Sequence, residues 1–150
     1  MKENESGTLN TSFLGTGWSF PPEFVQGSQT GEVLMTSDED DIRASLKILL
    51  GTVPGERFFN PKYGLDLHET LFEPMSTTMT TLLKERVHHA ILIYEPRINL
   101  LVLDLDTSAQ YEGRVSIIID YEIRATNSRY NLVYPFYMTD GSEVRKTVPT

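Results

Sequence analysis

Four acidic residues in the C-terminal half of the chain have the types and spacing that carboxylate chemistry would need. Asp104 and Asp106 alternate within one apolar stretch, and Asp120 and Glu122 alternate within another. Two carboxyl groups flanking a sugar bond form the catalytic apparatus of most glycosidases. However, neither pair combines an acid in an apolar pocket with a second, solvated carboxylate. Acids that share one face of a strand are usually its solvated side, so the sequence predicts no catalytic residue here.

Histidine, serine and glycine patterns indicate no metal, nucleophile or phosphate site. His88 and His89 are adjacent on a predicted helix, so their side chains point about 100° apart and cannot bind one metal ion. His68 has no partner at ligand spacing. No serine lies in the G-x-S-x-G context of a nucleophile elbow, and Gly15–Gly17 lacks the helix and the Lys-Ser/Thr of a phosphate loop. The sequence therefore predicts neither a cofactor nor a metal, and no enzymatic activity.

The composition excludes further functional classes. With 150 residues, the chain favours one domain with a core of its own. It contains no cysteine, which excludes disulfides and thiolate metal sites. A net charge of −8 argues against general nucleic-acid binding, which needs clustered lysine and arginine. The sequence has no run of about 18 apolar residues and so predicts no membrane span.

Three regions follow one another along the chain. Residues 1–12 are polar and are predicted to be a flexible leader, residues 13–140 a single α+β domain, and residues 141–150 a loose tail. The stretch SFLGTGWSFPPEF (12–24) cannot be helical, and we expect its four aromatic side chains to lie across the core. A hairpin is predicted from Phe24–Val25, a glycine-rich turn, and Val33–Met35.

Two helices are predicted to position the rest of the chain. The first starts after the N-cap Ser37 with an acidic first turn that matches the helix dipole, and it stops at Gly51. Its apolar face consists of Ile42, Leu46, Leu49 and Leu50. The second begins near Ser76 and ends before Pro96. Its apolar positions are Met79, Leu82, Leu83, Val87, Ala90, Ile91 and Tyr94.

Strand patterns occupy the C-terminal third. RINLLVLDLD (97–106) is predicted to be a strand that is buried on both faces. GRVSIIIDYEIRAT (113–126) alternates strictly, with Val115, Ile117, Ile119, Tyr121 and Ile123 on one face. NLVYPFYM (131–138) is predicted to be an edge or bulged strand, because Pro135 cannot donate a ladder hydrogen bond. The predicted fold class is therefore α+β: an N-terminal hairpin, two main helices and a largely antiparallel C-terminal sheet.

Three features of the predicted fold suggest contacts beyond ordinary packing. Glu95, Pro96 and Arg97 place an acid and a base at a rigid helix-to-strand corner, which forms either a local salt bridge or a docking site. The aromatic edge strand LVYPFYM (132–138) is either covered by the chain's own tail or available to a partner's strand. The long connection Leu49–Pro74 is expected to be ordered, with Glu56 and Arg57 pairing or facing a neighbour. Its core anchors are expected to be Phe58, Phe59, Tyr63, Leu65, Leu67, Leu71 and Phe72.

The segment DIRASLKILLGTVPGERFFNPKYGLDLHETLFEP (41–74), followed after one helix by YEPRI (94–98), resembles the baseplate wedge proteins of contractile injection machines. Such machines include contractile phage tails, type VI secretion systems and extracellular tailocin-like particles. FLGTGWSFPPEF (13–24) and the predicted sheet resemble the family more weakly. The resemblance implies a structural component of a sixfold baseplate that surrounds the inner tube. It also implies assembly in the bacterial cytoplasm, with a final location in the phage tail-like or secretion particle, including particles released from the cell.

The resemblance implies particular partners and contact residues. Glu95, Pro96 and Arg97 are expected to dock on the helical core bundle of the large wedge subunits. The C-terminal sheet is expected to resemble the strand-exchange domain of the sheath protein and to template the first sheath ring by strand addition. The residues expected to take part are Val115, Ile117, Ile119, Tyr121, Val133, Tyr134 and Phe136. Inner-tube or hub proteins are further expected partners, whereas nucleic acid is not. The sequence leaves open which strand is the free edge.

Two other functions compete with this interpretation. The family was once labelled tail lysozyme, so a peptidoglycan hydrolase of the tail is the alternative, and a free-standing binding module is a weaker third. A hydrolase should clear cell-wall substrate alone, whereas an adapter should be inert without its partners. The sequence does not distinguish which machine the chain serves, how many copies each wedge holds or whether the isolated chain is a monomer.

Overall fold

The computed structural model describes residues 14–26, 31–67 and 76–137. Within the chain, residues 1–45 and residues 46–150 form two compact units. The predicted leader and loose tail lie outside the described residues, as do His68, Leu71 and Phe72 of the long connection.

The first unit contains two short antiparallel strand pairs. β1 (Thr16–Trp18) pairs with β4 (Met35–Ser37), and β2 (Phe24–Gln26) pairs with β3 (Gly31–Val33). The predicted hairpin is confirmed, except that Met35 belongs to the other strand pair.

Three aromatic side chains that the structure describes in this unit are exposed. Trp18, Phe20 and Phe24 are all more than half exposed, so the expectation that this segment lies across the core is wrong for these three residues. Trp18 lies directly opposite Met35, which is also exposed, so the two side chains share an exposed face of this strand pair.

The first helix, α1 (Asp38–Gly51), follows β4 without a linker. Asp38 turns the chain at a φ of 57°, a left-handed conformation that aspartate adopts more readily than most residues. The four predicted apolar positions are all buried, at 0–2% exposure: Ile42, Leu46, Leu49 and Leu50. Gly51 is the last residue of the helix.

The second helix, α2 (Thr77–Tyr94), begins as the sequence predicts. The Ser76 hydroxyl caps it by accepting a hydrogen bond from the backbone N–H of Met79. The buried face consists of Leu83, Val87, Ala90 and Ile91, whereas Leu82 is 38% exposed and does not belong to it. The helix ends at Tyr94, and the next residue, Glu95, has a φ of −131° and a ψ of 68°, which are not helical.

Three antiparallel strands form the C-terminal sheet in the order β5-β6-β7. They are β5 (Ile98–Asp106), β6 (Arg114–Ile123) and β7 (Ser128–Tyr137). The strict alternation predicted for β6 is confirmed, because its five apolar side chains are at most 1% exposed. β7 is an edge strand, with Pro135 opposite Ser116. A fold of two helices, an antiparallel C-terminal sheet and a small N-terminal hairpin confirms the predicted α+β class.

The prediction that β5 is buried on both faces is wrong. Ile98 and Leu105 are buried, but Leu101 is 42% and Val102 50% exposed. The reason lies in the topology: β5 is the opposite edge of the sheet, and its register with β6 shifts between Leu100 and Val102. A bulge at that point turns consecutive apolar side chains out of the simple alternation.

Candidate partner-binding surfaces

A bidentate ion pair closes the helix-to-strand corner. Arg97 Nε donates to Glu95 Oε1 at 2.6 Å, and Arg97 Nη2 donates to Glu95 Oε2 at 2.8 Å. The Glu95 side chain is 2% exposed, whereas that of Arg97 is 31% exposed. Of the two interpretations of this triplet, the local salt bridge is therefore present in the structure. The guanidinium is held in one orientation, with part of its surface toward solvent.

Arg124, which the sequence interpretation missed, fixes the same corner from the end of β6. Its backbone N–H donates to the carbonyl of Arg97 at 3.0 Å, and its Nε donates to the carbonyl of Ile98 at 3.0 Å. Ile123 pairs with Ile98 in the β5–β6 ladder, which brings Arg124 to this place. This contact could have been predicted only from the residue pairing between β5 and β6. The corner is thus held by the Glu95–Arg97 ion pair and by the hydrogen bonds from Arg124.

The connection between α1 and α2 is ordered where the structure describes it. Leu65 N–H donates to the Thr52 carbonyl at 2.8 Å, and Tyr94 Oη donates to the Lys62 carbonyl at 2.8 Å. The rings of Tyr63 and Tyr94 pack with centroids 4.9 Å apart. Burial raises the pKa of the Tyr63 hydroxyl, an effect that the nearby Arg57 partly opposes. The predicted anchors Leu65 and Leu67 are buried, and Tyr63 is half-buried.

Phe58 and Phe59 were also predicted to anchor this connection, and that prediction is wrong. Phe58 is 91% and Phe59 97% exposed. Glu56 and Arg57, which were expected to pair or to face a neighbour, each contact a different group of this loop. Arg57 lies over the Tyr63 ring at 4.0 Å, and Glu56 Oε2 accepts a hydrogen bond from Val53 N–H at 3.0 Å.

The seven residues expected to contact the sheath lie in one sheet but not at one edge. Val115, Ile117, Ile119 and Tyr121 belong to β6, whose backbone pairs with strands on both sides. The other three belong to the edge strand β7: Val133 is 53% exposed, while Tyr134 and Phe136 are half-buried. The β6 residues therefore form the buried face that supports the edge, and only β5 and β7 are edges among the described strands of this sheet.

The two edges differ in their availability for another strand. β7 pairs with β6 through ten consecutive residue pairs without a register shift. β5 contains the bulge near Leu100 and carries Asp104, which forms an ion pair with Lys84 at 2.8 Å. Bulges and charged side chains are the devices by which proteins protect sheet edges from further pairing. β7 is therefore the more regular edge, although Pro135 removes one donor from it.

The acidic pairs do not have the environment of a hydrolase site. A hydrogen bond from Lys84 lowers the pKa of Asp104, and one from the backbone N–H of Ser108 lowers the pKa of Asp106. A general acid at neutral pH needs the opposite shift. In the second pair, Asp120 accepts a hydrogen bond from Asn131, and Glu122 lies 3.6 Å from Arg129. Each of these acids has a structural partner.

The described part of the chain contains neither a candidate metal site nor a membrane-spanning helix. His, Cys, Asp and Glu residues in the described ranges form no group of three or more that could hold a metal ion. In the same ranges, no helix has both the length and the apolar character needed to cross a membrane.

The chain combines a fixed corner, an ordered connection and a regular sheet edge. These are features of a protein that acts within an assembly, and the family comparison supports this class. Residues 36–128 match the model of the family described as baseplate wedge protein gp25. This match spans well over half of the sequence, and the chain therefore belongs to the baseplate wedge protein family. It is a baseplate component of a contractile, phage tail-like system, as the resemblance predicted.

Known relatives extend this result. Baseplate wedge protein gp25 of Enterobacteria phage T4 is 34% identical over 82 residues, which are 51% of this chain and 62% of that protein. A second relative is a protein from Geobacter sulfurreducens with a solved structure, which is named as a candidate tail lysozyme. It is 40% identical, and its structure matches with a TM-score of 0.67 over 73% of this chain and 98% of that one. A chain of the anti-feeding prophage baseplate, solved with 6-fold symmetry, is 25% identical with a TM-score of 0.55, over 86% of this chain and 90% of that one.

Proposed function

We propose that this chain is a non-catalytic adapter that docks on the large wedge subunits and starts the first sheath ring by strand addition. The corner Glu95–Arg97 makes the wedge contact, and β7 receives the sheath strand. Inner-tube or hub proteins are its further neighbours in a sixfold baseplate that assembles in the bacterial cytoplasm. The observation that carries this proposal is the corner, where a buried carboxylate holds an arginine in one orientation at the surface.

The chemistry of the corner favours recognition over simple stabilisation. A buried ion pair is weak support for a fold, because the cost of desolvating both charges offsets much of their attraction. Here the pair is asymmetric: Glu95 is buried, while about a third of the Arg97 side chain remains exposed. A guanidinium that is already oriented loses little conformational entropy when it meets a partner's carboxylate or carbonyl groups. The backbone contacts from Arg124 add to this preorganisation.

Strand addition is assigned to β7 because of the regularity of that edge. An added strand gains affinity from main-chain hydrogen bonds, which need an unshifted row of backbone groups. β7 offers ten residues in continuous register, whereas the bulge and ion pair of β5 oppose pairing. Val133 on β7 supplies an exposed apolar contact for the incoming strand. The neighbouring strand β6, whose apolar side chains are buried, supports this edge.

Two valines with matched exposure test this assignment. Val133 on β7 is 53% exposed, and Val102 on β5 is 50% exposed. We expect Val133→Lys to weaken joining to the sheath protein by about tenfold or more, since lysine on an edge strand opposes further pairing. Val102→Lys should leave joining unchanged. Assembly of purified sheath protein on the tagged chain, measured by sedimentation, distinguishes the two. An equal effect of both variants, or an effect of Val102→Lys alone, would reject β7 as the receiving edge.

The hydrolase alternative has its own test, which the name of the Geobacter relative makes worthwhile. We expect the purified chain to release no more soluble fragments from peptidoglycan than a heat-denatured sample does, because Asp104 and Asp106 have lowered pKa values and structural partners. Clearing that disappears in Asp104→Asn or Glu122→Gln would replace the adapter proposal with a catalytic one.

A further inference from the structure

The connection between α1 and α2 holds two phenylalanine side chains in solvent. Phe58 and Phe59, here called the aromatic tip, are 91% and 97% exposed. Their rings contact each other edge to face, with centroids 5.4 Å apart and an interplanar angle of 89°. Single exposed apolar side chains are common on protein surfaces. Two adjacent exposed rings that contact each other instead form a protruding apolar patch. Such a feature is typical of an interaction site.

Hydrogen bonds on both sides of the aromatic tip fix its place on the loop. Gly55 N–H donates to the Pro61 carbonyl at 2.8 Å, which closes the chain around the tip. Tyr63 N–H donates to the Asn60 carbonyl at 3.0 Å, and Glu56 N–H donates to the Val53 carbonyl at 3.1 Å. The loop therefore presents the two rings on a closed turn. Because this loop is already ordered, binding a partner costs little further backbone entropy, which favours affinity.

The charges beside the aromatic tip indicate the chemistry of its partner. Arg57 precedes the tip, and its guanidinium lies over the Tyr63 ring at 4.0 Å. Lys62 follows the tip, and the one acid of the turn, Glu56, accepts a hydrogen bond from Val53 N–H. The tip thus lies between two cations in a chain whose net charge is −8. A complementary surface would combine an apolar pocket with an acidic rim.

The aromatic tip and the Glu95–Arg97 corner are joined through one tyrosine. Tyr94 Oη donates to the carbonyl of Lys62, just beyond the tip, and the Tyr94 ring packs against Tyr63. Tyr94 is also the last residue of α2, immediately before Glu95. The base of the loop and the start of the corner are therefore parts of the same packed structure. The loop that carries the tip is therefore anchored to the helix that ends at the corner.

We propose that the aromatic tip inserts into an apolar pocket with an acidic rim on a neighbouring baseplate subunit. This contact is additional to the corner and to β7, and it rests on the proposed function because its partner belongs to the baseplate. Phe58 and Phe59 supply the apolar contact area, and Arg57 and Lys62 meet the acidic rim. The geometry selects a concave partner surface rather than a flat one, since the rings project beyond their own loop.

Photo-crosslinking in the native particle tests this inference. A benzoyl-phenylalanine probe replaces Phe58 in a tagged full-length chain, and the crosslinked peptides are identified by mass spectrometry. We expect an apolar peptide with flanking Asp or Glu from another baseplate subunit. The same probe at Tyr111, which is also fully exposed, is the matched control and should not capture that peptide. Capture of a second copy of this chain, or no capture in particles that contain it, overturns the inference. Absence of the chain from particles overturns the proposed function with it.

A double variant measures the contribution of the rings. We expect Phe58→Ser/Phe59→Ser to weaken binding to the crosslinked subunit by about 30-fold or more, as for other aromatic anchors in a pocket. Its melting temperature should stay within about 2 °C of the parent, because the rings bury little in the free chain. Tyr111→Ser should change neither quantity. Undiminished binding, or a melting temperature lowered by more than about 5 °C, would contradict the assignment.

Discussion

Arg97→Ala is expected to lower the free energy of unfolding by roughly 2–4 kcal/mol, because it leaves the Glu95 carboxylate buried and unpaired. Both carboxylate oxygens of Glu95 accept hydrogen bonds from Arg97, at 2.6 and 2.8 Å, and the Glu95 side chain is only 2% exposed. A change at a mostly solvated arginine would ordinarily cost far less. Urea unfolding of the purified chain, followed by circular dichroism, measures the difference.

The matched control removes both charges together. Glu95→Gln/Arg97→Met leaves no uncompensated charge in the corner, so its stability should lie within about 1 kcal/mol of the parent chain. If Arg97→Ala were as stable as the parent, the corner pair would have no structural role. The double variant is also the proper test of docking, since it remains folded. We expect the double variant to lose binding to the large wedge subunits. With Arg97→Ala alone, a loss of binding could not be separated from a loss of stability.

Gly64→Ala is expected to destabilise the chain by about 3 kcal/mol or more, because the position combines two constraints. Gly64 has a φ of 115°, and an added Cβ would lie 2.2 Å from the carbonyl oxygen of Thr52. That oxygen belongs to the backbone and already accepts the hydrogen bond from Leu65 N–H, so it cannot move aside without loosening the connection.

Gly55→Ala separates the two constraints. Gly55 has a φ of 96°, but among the described residues no atom beyond its two chain neighbours lies within 4 Å of an added Cβ. Only backbone strain then opposes the alanine, and we expect a loss of about 1–2 kcal/mol. Urea unfolding of both variants gives the comparison. A loss for Gly64→Ala no larger than that for Gly55→Ala would show that the Thr52 contact does not constrain the connection.

The parts of the fold that the sequence predicted well are those with a local physical signal. The Ser76 cap, the end of α2 just before Glu95 and the alternation of β6 each depend on neighbouring residues. They need only capping, the restriction imposed by Pro96, and the two-residue period of a strand. Family membership could likewise be predicted, because the long motif and the YEPRI segment combine many residue types at fixed spacing.

The parts that the sequence did not reveal depend on contacts between distant segments. An apolar run such as β5 shows that burial is available, but not that an edge position and a bulge expose Leu101 and Val102. Phe58 and Phe59 are of a residue type that usually lies in the core, yet both are exposed on a loop that the hydrogen bond between Gly55 and Pro61 closes. Arg124 contributes to the corner only through the register of β6 with β5. These features depend on contacts that form only in the folded chain.

Cryo-electron microscopy of the native contractile particle, purified by sedimentation from a strain that carries a tagged copy of this chain, tests the central claim most directly. We expect density for the chain in the baseplate, with the Glu95–Arg97 corner against a helical bundle of the large wedge subunits and a sheath strand paired along β7. Particles that form without the tagged chain, or a chain whose corner faces solvent in the assembled baseplate, would contradict the adapter account.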